Sequence, residues 1–299
     1  MEKDKEVNDI DIDTSKEDKR KLMILKIIIG VVVIGILVLL YARYVGTIGL
    51  VVKEYPIKTS KLSSDYDSLN IVQFSDLHFG STIGIDDVNN LVDNINKQEP
   101  DIIVFTGDLI EQDIQISDEN LDKLAEALNK LSPKIEVLYV LGNHDYDQKT
   151  YFDKVTSKLN WHLLDNTYEY IYDNSKEPIV FVGLDDYMNG KPDYQNAFSY
   201  LKENDKDLYT IVLMHEPDQI DSISNYSFDL VFAGHSHLGQ VRLPYIGAIW
   251  TPYGSKKYYD EHYKVNNADL YISGGVGTSM LRLRLFDKPS YNLYRFYTK

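Results

Sequence analysis

Five apolar runs in this sequence, at 71–74, 101–105, 135–141, 211–214 and 230–233, end in side chains of metal-ligand type. The exits read Ser75-Asp76-Leu77-His78, Thr106-Gly107-Asp108, Gly142-Asn143-His144-Asp145, His215-Glu216-Pro217-Asp218 and Gly234-His235-Ser236-His237. Asp76 and His78 lie two residues apart, so in extended backbone both point to one side. A hard oxygen beside a borderline nitrogen makes half of a metal site. Each exit alone also reads as a polar turn or a helix cap. The coincidence of all five decides between these readings. Five of the 7 histidines fall at these exits, and His162 and His262, which do not, are assigned no role. Asp76, His78, Asp108, Asn143, His215, His235 and His237 are too many ligands for one ion and suit two. One carboxylate must then bridge, and Asp108, from the middle of the set, is the natural candidate. Two ions about 3.5–4 Å apart clamp the attacking and leaving oxygens of a phosphoryl centre and lower the pKa of bound water. His144 is left over, and a spare imidazole beside such a centre suits general acid work on a leaving oxygen.

For those ends to meet, the runs must be strands of one sheet. Residues 86–98 carry Val88, Leu91, Val92 and Ile95 at helical spacing, and residues 121–131 repeat the pattern, with Pro100 and Pro133 as stops. Alternation of strand and helix with short joints predicts a parallel sheet with right-handed crossovers. Ligands then gather beyond the carboxyl ends of its strands. The spacing predicts a first strand within 49–61 and further strands at 179–182, 240–243, 270–273, 281–286 and 292–297. Short helices are predicted near 193–202 and 217–225. No internal repeat or low-complexity linker divides residues 70–299, which read as one α/β domain.

The composition narrows the chemistry. With 0 cysteines, thiolate sites are excluded and any metal must sit on His, Asp, Glu or Asn. The net charge of −15 argues against sequence-independent nucleic-acid binding, which needs a basic face, so no nucleic-acid partner is expected. An anionic substrate would need local positive charge, such as metal ions.

Upstream, residues 1–21 are polar and dense in both charge signs and read as a disordered tail. Residues 22–42 are apolar over about 30 Å of helix, the thickness of a bilayer core, and read as a transmembrane anchor. Tyr41 and Tyr44 fall at the expected aromatic belt. A cleaved signal peptide fits less well, because Tyr41-Ala42-Arg43 offers no small-x-small site. Lys16, Lys19, Arg20, Lys21 and Lys26 precede the apolar run, against Arg43, Lys53 and Lys58 after it. This predicts a single-pass cell-membrane protein, its N-terminus cytoplasmic and its catalytic domain on the outer face. Residues 43–69 form a linker and first strand.

The ordered set Asp-x-His, Gly-Asp, Gly-Asn-His-Asp, His and Gly-His-x-His resembles the calcineurin-like metallophosphoesterase superfamily, from about residue 50 onward. The apolar anchor, Gly239-Gln240-Val241-Arg242-Leu243-Pro244, Gly275-Val276-Gly277-Thr278-Ser279 and Arg284-Leu285-Phe286 resemble its membrane-anchored bacterial YkuE/YaeI-like branch. The resemblance implies a four-layer αββα sandwich with the site where loops of two sheets meet. It implies that Asp76, His78, Asp108 and His237 hold one metal and Asp108, Asn143, His215 and His235 the other, with His144 as the acid or a transition-state contact. Asp145 would support its loop. Leu238 departs from the glycine common at that position.

The expected activity is hydrolysis of phosphodiester or pyrophosphate bonds by metal-activated water, with two divalent ions, Mn2+, Zn2+ or Fe2+, as cofactors. A lipid-linked substrate suits the anchor, and some relatives in this branch cleave the pyrophosphate of a UDP-linked acylated sugar. A nuclease and a non-catalytic metal-binding scaffold are the alternatives. The acidic charge weighs against the first, and the complete ligand set with His144 against the second. The aromatic cluster at 245–263, with Trp250, reads as packing between β-loops rather than as a rim for substrate or lipid headgroups.

Overall fold

The computed structural model describes residues 3–173, 175–202 and 208–298. The chain divides into two compact units, residues 1–45 and 46–299. The first is a single helix, α1 (Lys3–Tyr44), within which Lys16–Tyr44 is long and apolar enough to cross a membrane. The helix runs through the segment expected to be a disordered tail. No proline or glycine interrupts it before Gly30. An i,i+4 pair between Glu17 and Lys21 at 2.7 Å adds about 0.2–0.5 kcal/mol of helical support.

The second unit runs β1 (Val51–Thr59), β2 (Asn70–Phe74), α2 (Ile85–Asn96), β3 (Ile102–Phe105), α3 (Asp118–Leu128) and β4 (Glu136–Tyr139). Next come α4 (Asn143–Asp147), α5 (Lys149–Thr156), β5 (His162–Leu163), β6 (Thr167–Ile171), β7 (Ile179–Gly183), α6 (Tyr194–Ala197), β8 (Thr210–Leu213) and β9 (Leu230–Ala233). The chain ends with β10 (Arg242–Leu243), β11 (Gly247–Ala248), β12 (His262–Val265), β13 (Ala268–Ile272) and β14 (Ser290–Thr298). One 6-stranded sheet has the order β1-β14-β2-β3-β4-β5, the other β12-β13-β9-β8-β7-β6. Both are mixed: β2, β3 and β4 are parallel, β14 lies antiparallel to β2, and β12 lies antiparallel to β13.

Strand alternation builds the layers. Ile71, Val104, Leu138, Ile211, Leu230 and Phe232 face the space between the sheets. Val72, Phe74, Ile103 and Phe105 face outward, under Val88, Leu91 and Ile95 of α2 and Leu121 and Leu124 of α3. On the second sheet Val180, Val212 and Val231 face outward under Phe198, Ile220 and Ile223. Three apolar layers separated by two sheets are the αββα sandwich. Each fully buried Leu, Ile or Val contributes about 1.5–3 kcal/mol.

The sequence placed all five ligand-bearing exits in one parallel sheet. The structure puts those of β2, β3 and β4 in the first sheet and those of β8 and β9 in the second. Gln73 shows what brings the two sets together. It is buried within an apolar strand, and its Nε2 donates to Ala233 O of β9 at 2.8 Å and to Thr106 Oγ1 at 3.0 Å. Tyr294 OH donates to its Oε1 at 2.6 Å. The polar side chain thus pins one sheet to the other directly beneath the exits. Residues 281–286, predicted as a strand, are irregular, with Leu285 alone bridged to Val241. Their alternating leucines mimic a strand, but Arg284 turns inward to bond carbonyl oxygens.

Candidate metal centre

All seven predicted ligands are buried, and Asp76, His78, Asp108, His215, His235 and His237 cluster at the facing ends of the two sheets. Three overlapping groups, Asp76-His78-His237, His78-Asp108-His144 and Asp108-His215-His235, each have their ligand atoms within 4.8 Å of one another. His78 Nε2 faces His237 Nε2 at 3.0 Å, and Asp76 Oδ1 lies 3.4 Å from the latter. His235 Nδ1 faces His215 Nε2 at 3.2 Å. Asp108 Oδ2 sits between these imidazole pairs, 3.6 Å from His78 Nε2 and 3.2 Å from His215 Nε2. His235 and His237, two residues apart, therefore turn to different imidazole partners, His215 and His78.

The convergence does not come from extended backbone. Asp76, His78, Asp108, His235 and His237 have φ of 51°, 45°, 63°, 64° and 47°. Left-handed conformations cost roughly 1–2 kcal/mol each for non-glycine residues and collect where the surrounding structure enforces them. Asp145 does part of the enforcing. Its carboxylate accepts from Asp108 N at 2.9 Å, Leu109 N at 2.8 Å and Gly142 N at 2.9 Å, fastening the exit of β3 to that of β4. Gly107 permits the approach, since a Cβ there would sit 2.6 Å from Gly142 N and 2.7 Å from His215 Nδ1.

The donors suit divalent ions. Asn143 Oδ1 is buried without a hydrogen-bond partner among the described residues. Burial, with the neighbouring His144, His215 and Arg284 charges, holds His78 well below the usual imidazole range despite Asp108. Burial also holds His237 well below it, with His78 and Arg284 adding to the effect. Both are thus neutral, as metal ligation requires. Burial and the charge of His215 push His235 down to about 3. His235 Nε2 donates to Tyr253 O at 2.6 Å, leaving Nδ1 as the lone pair facing the centre. His215 Nδ1 donates to Thr106 O at 2.6 Å. Burial alone would lower His215, but Asp108 raises it well above its ordinary value.

Residues 69–239 match the Calcineurin-like phosphoesterase family. The chain is 33% identical over 257 residues to the metallophosphoesterase YkuE of Bacillus subtilis (strain 168), covering 85% of this chain and 88% of that protein. It belongs to this metallophosphoesterase family. It is also 24% identical to the UDP-2,3-diacylglucosamine pyrophosphatase LpxG of Chlamydia muridarum (strain MoPn / Nigg), over 76% of this chain and 83% of that protein. A Danio rerio transmembrane protein with metallophosphoesterase domain is 27% identical over 78% of this chain, which spans 54% of it.

Two further residues of the metallophosphoesterase domain act on the site. Glu111 places Oε1 3.3 Å from His144 Nδ1 and so orients that ring, while its Oε2, 3.6 Å from His78 Nδ1, makes no hydrogen bond to it. Burial alone would lower His144, but Asp108 and Glu111 outweigh it and push the imidazole up to about 9. Its Nε2 lies 4.0 Å from Asp108 Oδ2 and 3.5 Å from Ser279 Oγ. Arg284, wholly buried, bonds Gly274 O at 2.7 Å, Gly275 O at 3.0 Å and Gly277 O at 2.7 Å, and pairs with Asp287 at 2.8 Å. The loop it holds covers the first centre. A Cβ on Gly275, whose φ is 72°, would sit 2.9 Å from Asp76 Cβ and 3.0 Å from His237 Nδ1. Glu111 carried a weak signal, three residues after Asp108; Arg284 carried none beyond its motif.

A cavity of about 480 Å³ opens above Asp108, His144, His235 and His237. Its walls are Val241, Ile249, Trp250, Pro252, Met280, Leu281 and Leu283, almost entirely apolar. The aromatic cluster read as packing divides in two. Tyr258 is buried against Tyr263, with centroids 5.1 Å apart, whereas Tyr245, Trp250 and Tyr253 are exposed.

Proposed function

We propose that this chain is a membrane-anchored phosphoric ester hydrolase that works with two divalent ions on a lipid-linked phosphodiester or pyrophosphate. The observation that carries the reading is Asp108 Oδ2, within reach of both imidazole pairs. In this reading Asp76, His78, Asp108 and His237 hold one ion, and Asp108, Asn143, His215 and His235 the other. When bound, the ions stabilise charge on the phosphoryl oxygens and acidify the attacking water. Nitrogen and oxygen donors of this kind accept Mn2+, Zn2+ or Fe2+. His144, oriented by Glu111, delivers a proton from Nε2 to the leaving oxygen. Asp145 holds the Asp108 and Asn143 loops at fixed separation. The apolar cavity walls support an acylated substrate, and the LpxG relative supports the pyrophosphate of a UDP-linked acylated sugar. Residues 22–42 serve as the anchor, with the N-terminus cytoplasmic and residues 70–299 as the catalytic domain outside.

The test is hydrolysis of bis-p-nitrophenyl phosphate and p-nitrophenyl phosphate by the detergent-solubilised chain, stripped of metal and reloaded with Mn2+, beside Asp108→Ala. Metal-dependent turnover that disappears in the variant is expected. Turnover that survives chelation or the variant would overturn the reading, as would a chain that binds no metal. Protease digestion of intact cells should remove the domain; its survival would reverse the orientation.

A further inference from the structure

The mouth of the cavity exposes its largest apolar side chains. In the hairpin of β10 and β11, Tyr245 is 109% exposed, Ile246 73% and Trp250, just beyond it, 54%. On the facing segment Met280 is 70% exposed, Leu281 63% and Phe286 68%. The two segments form one surface. Arg242 N donates to Leu285 O at 2.9 Å, and Gln240 Nε2 reaches Ser279 O at 3.3 Å and Leu281 O at 2.5 Å. Soluble surfaces seldom gather apolar groups this way, and such patches mark protein or membrane contacts.

Charge selects between these partners. Of the basic residues from 242 to 288, Arg242, Lys264 and Arg284 pair with Asp260, Asp269 and Asp287, and Lys257 with Asp221, which leaves Lys256, Arg282 and Lys288 as positive charge without an ion-pair partner among the described residues, although the net charge of the chain is −15. Lys256 lies over the Trp250 ring, 5.1 Å from its centroid. A second copy of this surface would bring two positive segments together. An anionic lipid surface would attract it, and Trp and Tyr favour the depth where headgroups meet acyl chains. The apolar helix of the same chain provides a bilayer for it to meet.

We propose that this rim is a bilayer-docking surface. Tyr245, Ile246 and Trp250 seat at the headgroup boundary of a membrane containing anionic phospholipid, with Met280, Leu281 and Phe286 beside them. The cavity then opens onto lipid, and an acylated phosphate ester reaches His144 and Asp108 without crossing water. This step rests on the lipid-linked substrate reading above.

The test uses the full chain in vesicles of phosphatidylcholine and phosphatidylglycerol, with and without brominated acyl chains. Trp161 packs against Phe74, Phe105 and Tyr139 in the core, so the fluorescence difference between the native chain and Trp250→Phe reports Trp250 alone. Trp250 emission quenched by brominated lipid supports the proposal. So do a loss of that quenching in Tyr245→Ser/Ile246→Ser and a weakening when phosphatidylglycerol is omitted. Hydrolysis of bis-p-nitrophenyl phosphate should be unchanged in that double variant. Trp250 left unquenched in a chain that hydrolyses the soluble ester overturns the docking and leaves the hydrolase reading intact. Quenching without hydrolysis overturns the hydrolase reading alone. Cross-linking of two chains through residue 245 would assign the surface to self-association and overturn the proposal.

Discussion

Arg284→Met is the substitution whose cost the structure allows to be worked out most fully. The native guanidinium is wholly buried, bonded to three carbonyl oxygens and paired with Asp287, itself 6% exposed. Removing one partner of a buried ion pair costs about 3–5 kcal/mol, because the other charge is left uncompensated. Lys53 Nζ, 3.6 Å from Asp287, softens that loss, so the lower end, about 3 kcal/mol, applies. The deprived carbonyls of Gly274, Gly275 and Gly277 add about 2 kcal/mol together. The sum of about 5 kcal/mol compares with a total stability of about 5–15 kcal/mol. At about 2–4 °C per kcal/mol for a domain of this size, the melting temperature should fall by about 10–20 °C. The assay is thermal unfolding of the detergent-solubilised chain in chelator, at one scan rate. Arg284→Met/Asp287→Asn removes both charges and should recover about half of the loss. Lysine, which lacks the planar fork, should fall between. A melting temperature within about 3 °C of native for Arg284→Met, or no recovery in the double variant, would refute the reasoning.

His144→Gln should reduce hydrolysis of an alkyl phosphodiester by about 10²–10⁴-fold but that of a p-nitrophenyl ester far less, because p-nitrophenolate leaves without a proton. Equal losses on both esters would show that His144 is not the acid. Glu111→Gln withdraws a carboxylate that raises His144. The high-pH fall in kcat for alkyl esters should therefore move to lower pH; a profile that stays put would contradict the contact. In the metal-free protein, burial pushes Asp76 up to about 6 and Asp145 up to about 7, the latter aided by Asp108. Carboxyls raised this way bind more protons folded than unfolded, so the stability they contribute is lost as pH rises from about 4 to 7, whereas His78, His235 and His237, held low, act in the opposite sense over that range. Metal binding prefers the ionised ligands. The melting-temperature gap between Mn2+-loaded and stripped protein should therefore widen over that range, and a gap that narrows would oppose the assignment.

What the sequence made legible was local. Apolar runs such as 102–105 and 230–233 became strands, helical spacing at Val88, Leu91, Val92 and Ile95 became α2, and Asp76, His78, Asp108, His215, His235 and His237 fall in the clustered donor groups. What escaped depends on partners distant in the chain. Nothing near Ile211 or Leu230 says that β8 and β9 pair with each other and β7 rather than with β3, so the apolar runs alone read as one sheet, and the two-sheet sandwich came only from the family resemblance. Glu111 and Arg284 matter through the histidines and carbonyls they face, not through their sequence neighbours. The left-handed backbone at Asp76 and His237 also escaped, because residue identity alone argued for extended geometry. The polar segment before residue 22 was read as disordered from its composition, whereas the helix continues through it.

The placement of β14 has a kinetic consequence. This last strand lies between the first two, with Val51 beside Ser290 on one edge and Gln73 beside Asn292 on the other. Until residues 290–298 exist, β1 has no neighbour and β2 lacks one edge. Domains dominated by such non-local pairings fold slowly, since a long loop must close before any contact rewards it. The first sheet therefore cannot be completed until residues 290–298 have been added. Loss of the final strand would not fray an end but would open a gap in the middle of the sheet. Tyr294, which bonds Gln73 beneath the metal residues, would be lost with it. Strand β14 thus couples closure of the first sheet to assembly of the site.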